Sequence, residues 1–583
     1  MTDDVFTNAE VSELFDTIAD LMEILGEDRF RIIAYRKAGA ALRAVTVPLV
    51  DLYERQQLQR IDGLTKGMAE KVNELYATGA IEYYSRLKER MPVGVRELLR
   101  VPHIGPRTAG RLYNELGIAG LAQLSAAIEA GTIKQIKGIG ERTLDGIREG
   151  IAAVADREER TLLLHAYEVS QRITAAIQSL PAVGQVLPVG SLRRGMTTIG
   201  DLDILVMTDR PDTVIGQLLH LEHWMRPQAD AQRLRAVLHN GMEVDIQCVD
   251  PQHWGSALVV TTGSTSHVEW LRHRAAQRGL RLAYDGLWAD AQRVGSHDEA
   301  SLYATLELPW VAPELREWYS QDDHWDDAHS STFERHHMRS DLHMHTTWSD
   351  GSADIATMAE SARARGYSHA AITDHGALIG ITNGLDTKRL RAQQLEIAAL
   401  NASYEAAGID FRLLHGVEVD ILVDGSLALP DEILHELDIV VASPHVNLRQ
   451  TPAVATQRIL RAIHHPAVDI IGHPRGRILG GRLGAPVDMP AVITAAATHQ
   501  VALEVNSGPD RLDIDGDLVR DVVSAGGLIT VNSDAHDPAN HAWIEQGITT
   551  ARRGGVPAAR VINTWERAQL TTFLRRPREK GSI

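Results

Sequence analysis

SDLHMHT, residues 340–346, decides how the C-terminal half of the chain folds. It is a short apolar run that ends in two histidines one residue apart. Six later runs follow the same plan: HAAITDH (369–375), FRLLHGVEV (411–419), DIVVASPH (438–445), DIIGHP (469–474), ALEVNS (502–507) and LITVNSDAH (528–536). Each is aliphatic and then turns polar or small, and helical stretches separate them at intervals of roughly 30 residues, the period of a strand-plus-helix unit. Seven such units predict a distorted (β/α)7 barrel over 341–575. In barrels of this kind the reactive groups gather at the C-terminal strand ends. His343, His345, Asp350, His375, Glu418, His445, His473, Asp534 and His536 all fall at or just beyond those ends. Strand alternation puts residues 343 and 345 on one face, and likewise 534 and 536.

Imidazole and carboxylate donors without thiolate suit Mn²⁺ and/or Zn²⁺, and Cys248 is the chain's one cysteine. Nine donors exceed the needs of one ion and suffice for up to three if Glu418 bridges. Such a cluster lowers the pKa of coordinated water, and a phosphate ester is the natural electrophile for it. A single histidine is more often a surface or capping residue; nine donors at strand ends are not. Arg475 and Arg477, just after His473, are candidates for holding a phosphate of the substrate.

Working outward from the barrel, residues 321–340 (QDDHWDDAHSSTFERHHMRS) are polar and aperiodic and read as a linker. Upstream, GSLRRG (190–195) precedes GDLD (200–203), which runs on as ILVM. A strand entered at Asp201 puts Asp201 and Asp203 on one face. Two adjacent carboxylates repel unless a divalent cation joins them, and Mg²⁺ or Mn²⁺ takes such oxygen ligands. Asp245, in EVDIQCV, supplies a third carboxylate on a neighbouring strand, enough for two ions. A bare Asp-x-Asp is more often a solvated strand end. The glycine-serine pair and two arginines ten residues upstream argue for a triphosphate instead, held by Gly190, Ser191 and Arg194.

The N-terminal 150 residues read as short helices, Val11, Phe15, Ile18 and Met22 recurring at helical spacing. Three segments repeat a glycine-turn pattern: IDGLTKGMA (61–69), VPHIGPRTA (101–109) and IKGIGERTL (136–144). Amides of such turns at a helix N-terminus suit phosphate oxygens. Gly63, Gly67, Gly105, Gly138 and Gly140 would let the backbone approach, and Lys66, Arg107 and Arg142 would add charge.

Over its 583 residues the chain carries a net charge of −18, 44% hydrophobic residues and 26 histidines. That composition predicts about four domains and excludes whole-chain disorder and a disulfide framework. Residues 1–150 have a net charge of only −2, so local nucleic-acid contacts there are compatible with the acidic total. With no long apolar run and no leader-like N-terminus, the expectation is a cytoplasmic monomer without membrane contact.

Three resemblances follow from these motifs. The three glycine turns resemble the helix-hairpin-helix motif, a sequence-independent binder of the DNA backbone. In the first copy Thr65, and in the second His103, stands where the motif has glycine. The GSLRRG and GDLD pair, the helical N-terminus and LPWVAPELRE (308–317) resemble family X DNA polymerases, the group containing DNA polymerase beta, over about residues 1–320. DLHMHTTWSDG, ITDHG, GVEVDI, SPH, IGHPRG and NSDAH resemble the polymerase-and-histidinol-phosphatase (PHP) domain. The combined order is similar to the bacterial and archaeal family X polymerases. By resemblance the chain is a multidomain α/β protein. It has an N-terminal helical DNA-end-binding domain (1–90), a helix-hairpin-helix region (91–150), a polymerase-beta-like α+β palm (151–250), a nucleotide-binding subdomain (251–320) and the PHP barrel (341–575).

The resemblance implies that Asp201, Asp203 and Asp245 are the catalytic aspartates. It also implies nucleotide contacts at Gly263, Ser264 and Arg272. The implied partners are gapped or nicked DNA and dNTPs, and the implied activities are gap filling and Mn²⁺-dependent 3′→5′ exonuclease or related 3′-phosphatase or abasic-site endonuclease action. Val260-Thr261-Thr262-Gly263-Ser264 stands where that family reads Tyr-Phe-Thr-Gly-Ser, and Val268 where it has Asn. These departures predict weaker or less discriminating synthesis. Lys37, Lys66 and Lys71 lie in the N-terminal domain, and nothing in the sequence singles one out as a Schiff-base nucleophile.

Overall fold

A computed structural model describes residues 6–576 except 7, 44, 46–48, 62, 79–80, 92–94, 96–97, 100, 102–103, 137–143, 145–146, 149–159, 222–223, 239–240, 319–332, 378–382 and 481–483. The N-terminal part is helical, as the periodicity predicts. Helix Asn8–Ile24 buries Val11, Phe15, Ile18, Leu21 and Met22 on the stripe that faces helix Arg29–Arg43. Each large apolar side chain so buried contributes roughly 1.5–3 kcal/mol. The first glycine turn leads into helix Lys66–Thr78 and the second into helix Pro106–Leu116, with Gly63 in the left-handed region at φ +77°. In the third repeat, Gly138, Gly140 and Arg142 lie outside the described residues.

The palm is a five-stranded sheet of β1 (Gln185–Pro188), β2 (Asp201–Met207), β3 (Met225–Ala229), β4 (Arg233–Val237) and β5 (Glu243–Val249), in the order β1-β2-β5-β4-β3. Its central pair, β2 and β5, is parallel, which sets Asp203 directly beside Asp245. Helices Trp254–Thr262 and Thr265–Gln277 follow, then the three-stranded sheet β6 (Leu280–Ala283), β7 (Gly286–Ala289) and β8 (Gln292–Val294). A buried ion cluster ties this subdomain to the palm: Glu299 pairs with Arg193 at 2.8 Å and with the fully buried Arg316 at 2.9 Å.

The C-terminal sheet is parallel and strictly sequential: β9 (Ser340–Asp341), β10 (His369–Ile372), β11 (Arg412–Asp420), β12 (Ile439–Ser443), β13 (Ile470–Ile471), β14 (Ala502–Asn506) and β15 (Ile529–Asn532). All of its strands except the start of β11 are buried on both faces, which explains why they read as apolar runs without alternation. The two edges meet just past the strands. Met344 bridges to Ala535, His345 N donates to Ala535 O at 2.8 Å, and Asp534 N donates to His343 O at 3.0 Å. The barrel is therefore nearly closed, and the closing contacts are made by the metal-ligand candidates' own backbone.

One expectation needs correction. The end of the 321–340 segment is not a linker. Phe333 is fully buried and its N–H donates to Val556 O at 3.0 Å, Met338 is buried, and Ser340 opens β9. Two apolar residues in a polar stretch are enough to anchor it. The 251–320 subdomain and the barrel also share a packed seam. Trp318 Nε1 donates to Arg553 O at 3.2 Å, Arg520 lies 3.7 Å over the Trp318 ring, and Arg552 pairs with Glu314 at 2.7 Å. Among the described residues no helix is long and apolar enough to cross a membrane.

Candidate active sites: a carboxylate palm and a histidine-rich barrel

In the palm, the register of β2 and β5 brings Asp203 beside Asp245, with Asp201 two residues up the same face. Crowding and burial act together on Asp203. Burial, then the charges of Asp201 and Asp245, push its carboxyl up to about 7. The turn carrying Gly190, Ser191 and Arg194 lies against them. Gly190 has φ +59°, and a Cβ there would overlap the Asp203 carboxylate. Glycine is thus required both by conformation and by close approach.

An open cavity of about 350 Å³ is lined by this turn, by Asp201 and Asp203, and by Val260, Thr261, Gly263, Val268 and Arg272. The Ser191 hydroxyl is buried with no hydrogen-bond partner. Arg194 donates to Glu317 and to Thr262 O, both at 2.6 Å. Ser264 caps the helix after the cavity and donates to Arg316 O at 2.7 Å, so its hydroxyl serves the fold here. The sequence reading missed Arg233, which forms a bidentate pair with Asp245. A basic residue on an adjacent antiparallel strand is visible only once β4 is placed beside β5.

The barrel brings all nine candidate ligands to one end. Three sets have ligand atoms within 4.8 Å of one another among the described residues. These are His345, Asp350, His375 and His536; His343, His345 and Asp534; and His375, Glu418 and His445. His473 joins the last through Nε2, 3.0 Å from Glu418 Oε1. Glu418 also lies 2.8 Å from His375 Nδ1, 3.2 Å from His445 Nε2, 3.5 Å from His343 Nε2 and 3.6 Å from His345 Nε2. One carboxylate facing five imidazoles is the arrangement of a bridging ligand.

Burial alone would raise the Glu418 carboxyl, but His445, His343 and His375 outweigh it and hold it well below the usual range. Burial, His536 and His375 keep His345 well below its ordinary value, the neutral form that a metal ligand needs. His343 Nε2, His375 Nδ1 and Glu418 Oε2 are buried and make no hydrogen bond. Buried donors that face one another unpaired, from nitrogen- and oxygen-donor side chains, fit transition-metal cations. Two candidate ligands, His473 (φ +24°) and Asp534 (φ +52°), occupy left-handed backbone that a non-glycine residue adopts at a cost. The half-exposed Asp350 and His536 form the solvent side of the cluster.

Carboxylates behind the ligands escaped the sequence reading. Glu504 Oε1 lies 2.7 Å from His343 Nδ1, and Asp420 Oδ1 lies 2.8 Å from His445 Nδ1. Such partners fix which ring nitrogen faces a metal. Their only sequence signal is alternation, Glu418-x-Asp420 and Glu504-x-Asn506. Arg477 is not available to a substrate phosphate. Its guanidinium donates to Arg511 O at 2.9 Å, to Leu512 O and to Asp515 at 2.9 Å. Lys66 starts its helix as anticipated, whereas Arg107 lies 3.3 Å from Glu23.

Comparison with known proteins agrees with this layout. The DNA polymerase beta thumb profile matches residues 257–317, and the PHP domain profile matches 341–484. A helix-hairpin-helix domain matches 6–81 and a SAM-like helix-hairpin-helix tandem matches 95–153. The DNA polymerase/3′-5′ exonuclease PolX of Bacillus subtilis (strain 168) is 32% identical over 574 residues, covering 97% of this chain and 99% of that protein. A protein of Thermoanaerobacter sp. (strain X514) named "Probable phosphatase" is 30% identical over 238 residues, 38% of this chain and 89% of its own. A ternary-complex structure of Leishmania infantum polymerase beta matches at 19% identity with a TM-score of 0.26, covering 38% of this chain and 97% of that one. With one relative aligned end to end through palm and barrel alike, the chain belongs to the PolX family, the family X DNA polymerases that carry a C-terminal PHP domain.

Proposed function

We propose that this chain is a DNA repair enzyme that fills gaps at 3′ ends in its palm and trims 3′ ends in its barrel. The observation that supports the reading is that candidate residues for both centres converge in one chain. The palm has three convergent carboxylates beside a cavity, and the barrel gathers nine candidate ligands, Glu418 among them, at one end.

In the palm, Asp201, Asp203 and Asp245 are the catalytic aspartates and would hold two divalent cations, Mg²⁺ or Mn²⁺. In the barrel, the nine-ligand cluster would hold up to three ions of Mn²⁺ and/or Zn²⁺. When bound, cations in the palm would supply charge stabilisation for the attacking 3′ oxygen and the leaving pyrophosphate, and cations in the barrel would supply a water of lowered pKa. The residues do the rest. The amides at the start of the Gly190–Arg193 turn and the unpartnered Ser191 hydroxyl donate to the triphosphate. Arg194 exchanges Glu317 for a phosphate oxygen. Arg233 neutralises Asp245. Gly263, Ser264 and Arg272 border the nucleotide, and the turns at Gly63, Gly67, Lys66, Gly105 and Arg107 grip the DNA backbone. In the barrel, Glu504 and Asp420 hold the rings of His343 and His445 in their ligating tautomers. The substrates are gapped or nicked DNA and dNTPs, and the enzyme works in the cytoplasm as a monomer.

A second reading rests on the cavity wall. Val260, Thr261 and Val268 line it where an aromatic pair and an Asn would floor the sugar and read the base. The palm would then chiefly position DNA for the barrel. A labelled 3′ end on one-nucleotide-gapped DNA, followed with and without dNTPs in Mn²⁺ and in Mg²⁺, separates the two. Extension by the wild type supports the first reading; digestion without any extension supports the second. Asp203→Ala is expected to abolish extension alone and His343→Ala digestion alone. Loss of both activities from either change refutes the two-centre assignment.

A further inference from the structure

The loop between β14 and helix Gly516–Ser524 belongs to the barrel by chain order, yet the side chain at its tip packs in the palm. Leu512 is fully buried in the apolar cluster formed by the palm helix Leu163–Gln178 and strands β2, β4 and β5. Leu479, from the loop after His473, packs against the same cluster. Leu512 sits at φ +42°, a conformation that a leucine holds only when its surroundings impose it.

The next residue reaches the other way. Asp513 is fully buried, and its Oδ2 accepts the amides of Arg475 at 3.0 Å and Arg477 at 3.4 Å, which follow His473 in the chain. Leu479 N donates to Asp510 O at 2.6 Å, so the two loops are laced together. At the base of the loop, Asn506 N donates to Asp513 O at 2.8 Å, and Asn506 Nδ2 donates to Asp534 Oδ2 at 2.9 Å. The loop therefore braces His473 and Asp534, the two ligands held in left-handed backbone.

We propose that the palm is the platform on which the barrel's metal cluster is set. Leu512, seated in the palm core, is a positioning residue that holds the His473 and Asp534 side of the cluster through Asp513 and Asn506. This rests on the barrel being the 3′-digesting, metal-dependent centre. It goes further in making that centre depend on a domain that supplies none of its ligands.

The test uses the metal-stripped full-length chain. Mn²⁺ binding is titrated by equilibrium dialysis, and kcat and KM for 3′ digestion are measured separately. Leu512→Ala is expected to weaken Mn²⁺ binding about tenfold and to lower kcat about tenfold with KM unchanged, while gap filling stays within about threefold. Leu512→Met, which refills the palm site, restores Mn²⁺ binding to within about twofold. Asp513→Ala leaves the palm core whole and is expected to match Leu512→Ala in Mn²⁺ binding, so the proposal stands or falls even if Leu512→Ala does not fold. Wild-type Mn²⁺ affinity in Asp513→Ala, or a loss of digestion at unchanged Mn²⁺ affinity, overturns it. A wild type that binds Mn²⁺ but digests nothing refutes the assigned activity instead and leaves the dialysis comparison intact as the test of positioning.

Discussion

Gly190 offers a single-atom test of the palm. Replacing it with alanine adds one carbon, at φ +59°, in a turn pressed against Asp203. The conformational cost of a left-handed alanine is roughly 1–2 kcal/mol. The steric cost is larger. The new Cβ would overlap Asp203 Oδ2 and crowd Asp203 Cγ at 3.0 Å and Cβ at 3.2 Å, where ordinary contact begins at 3.4 Å. The turn cannot simply back away, because Val189 N donates to Asp203 O at 2.8 Å and Gly190 O accepts from Arg194 N at 3.3 Å. The carboxylate must therefore swing away from the Gly190 turn, by on the order of 1 Å, and misplacement of that size costs about 10²-fold in rate. Gly190→Ala is thus expected to lower kcat for one-nucleotide gap filling by at least about 10²-fold. Digestion in the barrel serves as the internal control for folding. Extension within about threefold of wild type, with Asp203 still in place, would refute the claim that Gly190 and the catalytic carboxylates share one packed geometry.

Other outcomes follow from the same geometry. Glu504→Gln, which removes the anionic partner of His343 Nδ1, is expected to weaken Mn²⁺ binding or 3′ digestion by about 10–100-fold and to leave gap filling unchanged; equal Mn²⁺ affinity by titration would count against its orienting role. Because Asp203 is raised to about 7 in the folded metal-free chain against roughly 3.9 unfolded, the folded state holds the extra proton between those values, and stability falls as pH rises through about 7. In EDTA, Asp203→Asn should escape that loss, so its melting temperature should exceed wild type by more at pH 8 than at pH 5; a constant difference would contradict the assignment. Val260→Tyr combined with Thr261→Phe is expected to raise the preference for dNTP over rNTP by about tenfold or more, read from paired single-turnover rates.

How much was legible in advance varies with where the information sits. The barrel was readable because strands buried on both faces must be apolar, so each change to His, Asp or Glu marks a strand end. The structure gathers the nine candidate ligands at or just beyond those strand ends to one end of the barrel. Asp201 and Asp203 were readable because period-two spacing fixes which carboxylates share a face, while the place of Asp245 beside them rests on the pairing of β2 with β5. Glu504 was not, since one glutamate within ALEVNS looks the same whether it faces a histidine or solvent. Arg233 needed the neighbour relation of β4 and β5, a property of topology. Leu512 was the least readable of all. An isolated leucine in a polar loop carries no sign of which domain will bury it, and only the assembled seam shows that the palm does. The misread end of the 321–340 segment has the same cause: Phe333 and Met338 are too sparse to form a period, yet their burial fixes the segment to the barrel.

The two centres differ in what they ask of a cation, and that difference bears on why they can share a chain. The palm offers carboxylate oxygens only, and Mg²⁺ keeps such a site while retaining its waters. The barrel offers six imidazoles and three carboxylates, a set that favours the later first-row ions over Mg²⁺. Free ions in one pool would therefore partition between the sites by donor chemistry rather than by competition for the same ligands. Depleting transition metal should silence trimming while filling continues in Mg²⁺. The link found at Leu512 runs through backbone and packing, not through a shared ligand. It can therefore set the geometry of the barrel cluster without moving an ion from one centre to the other.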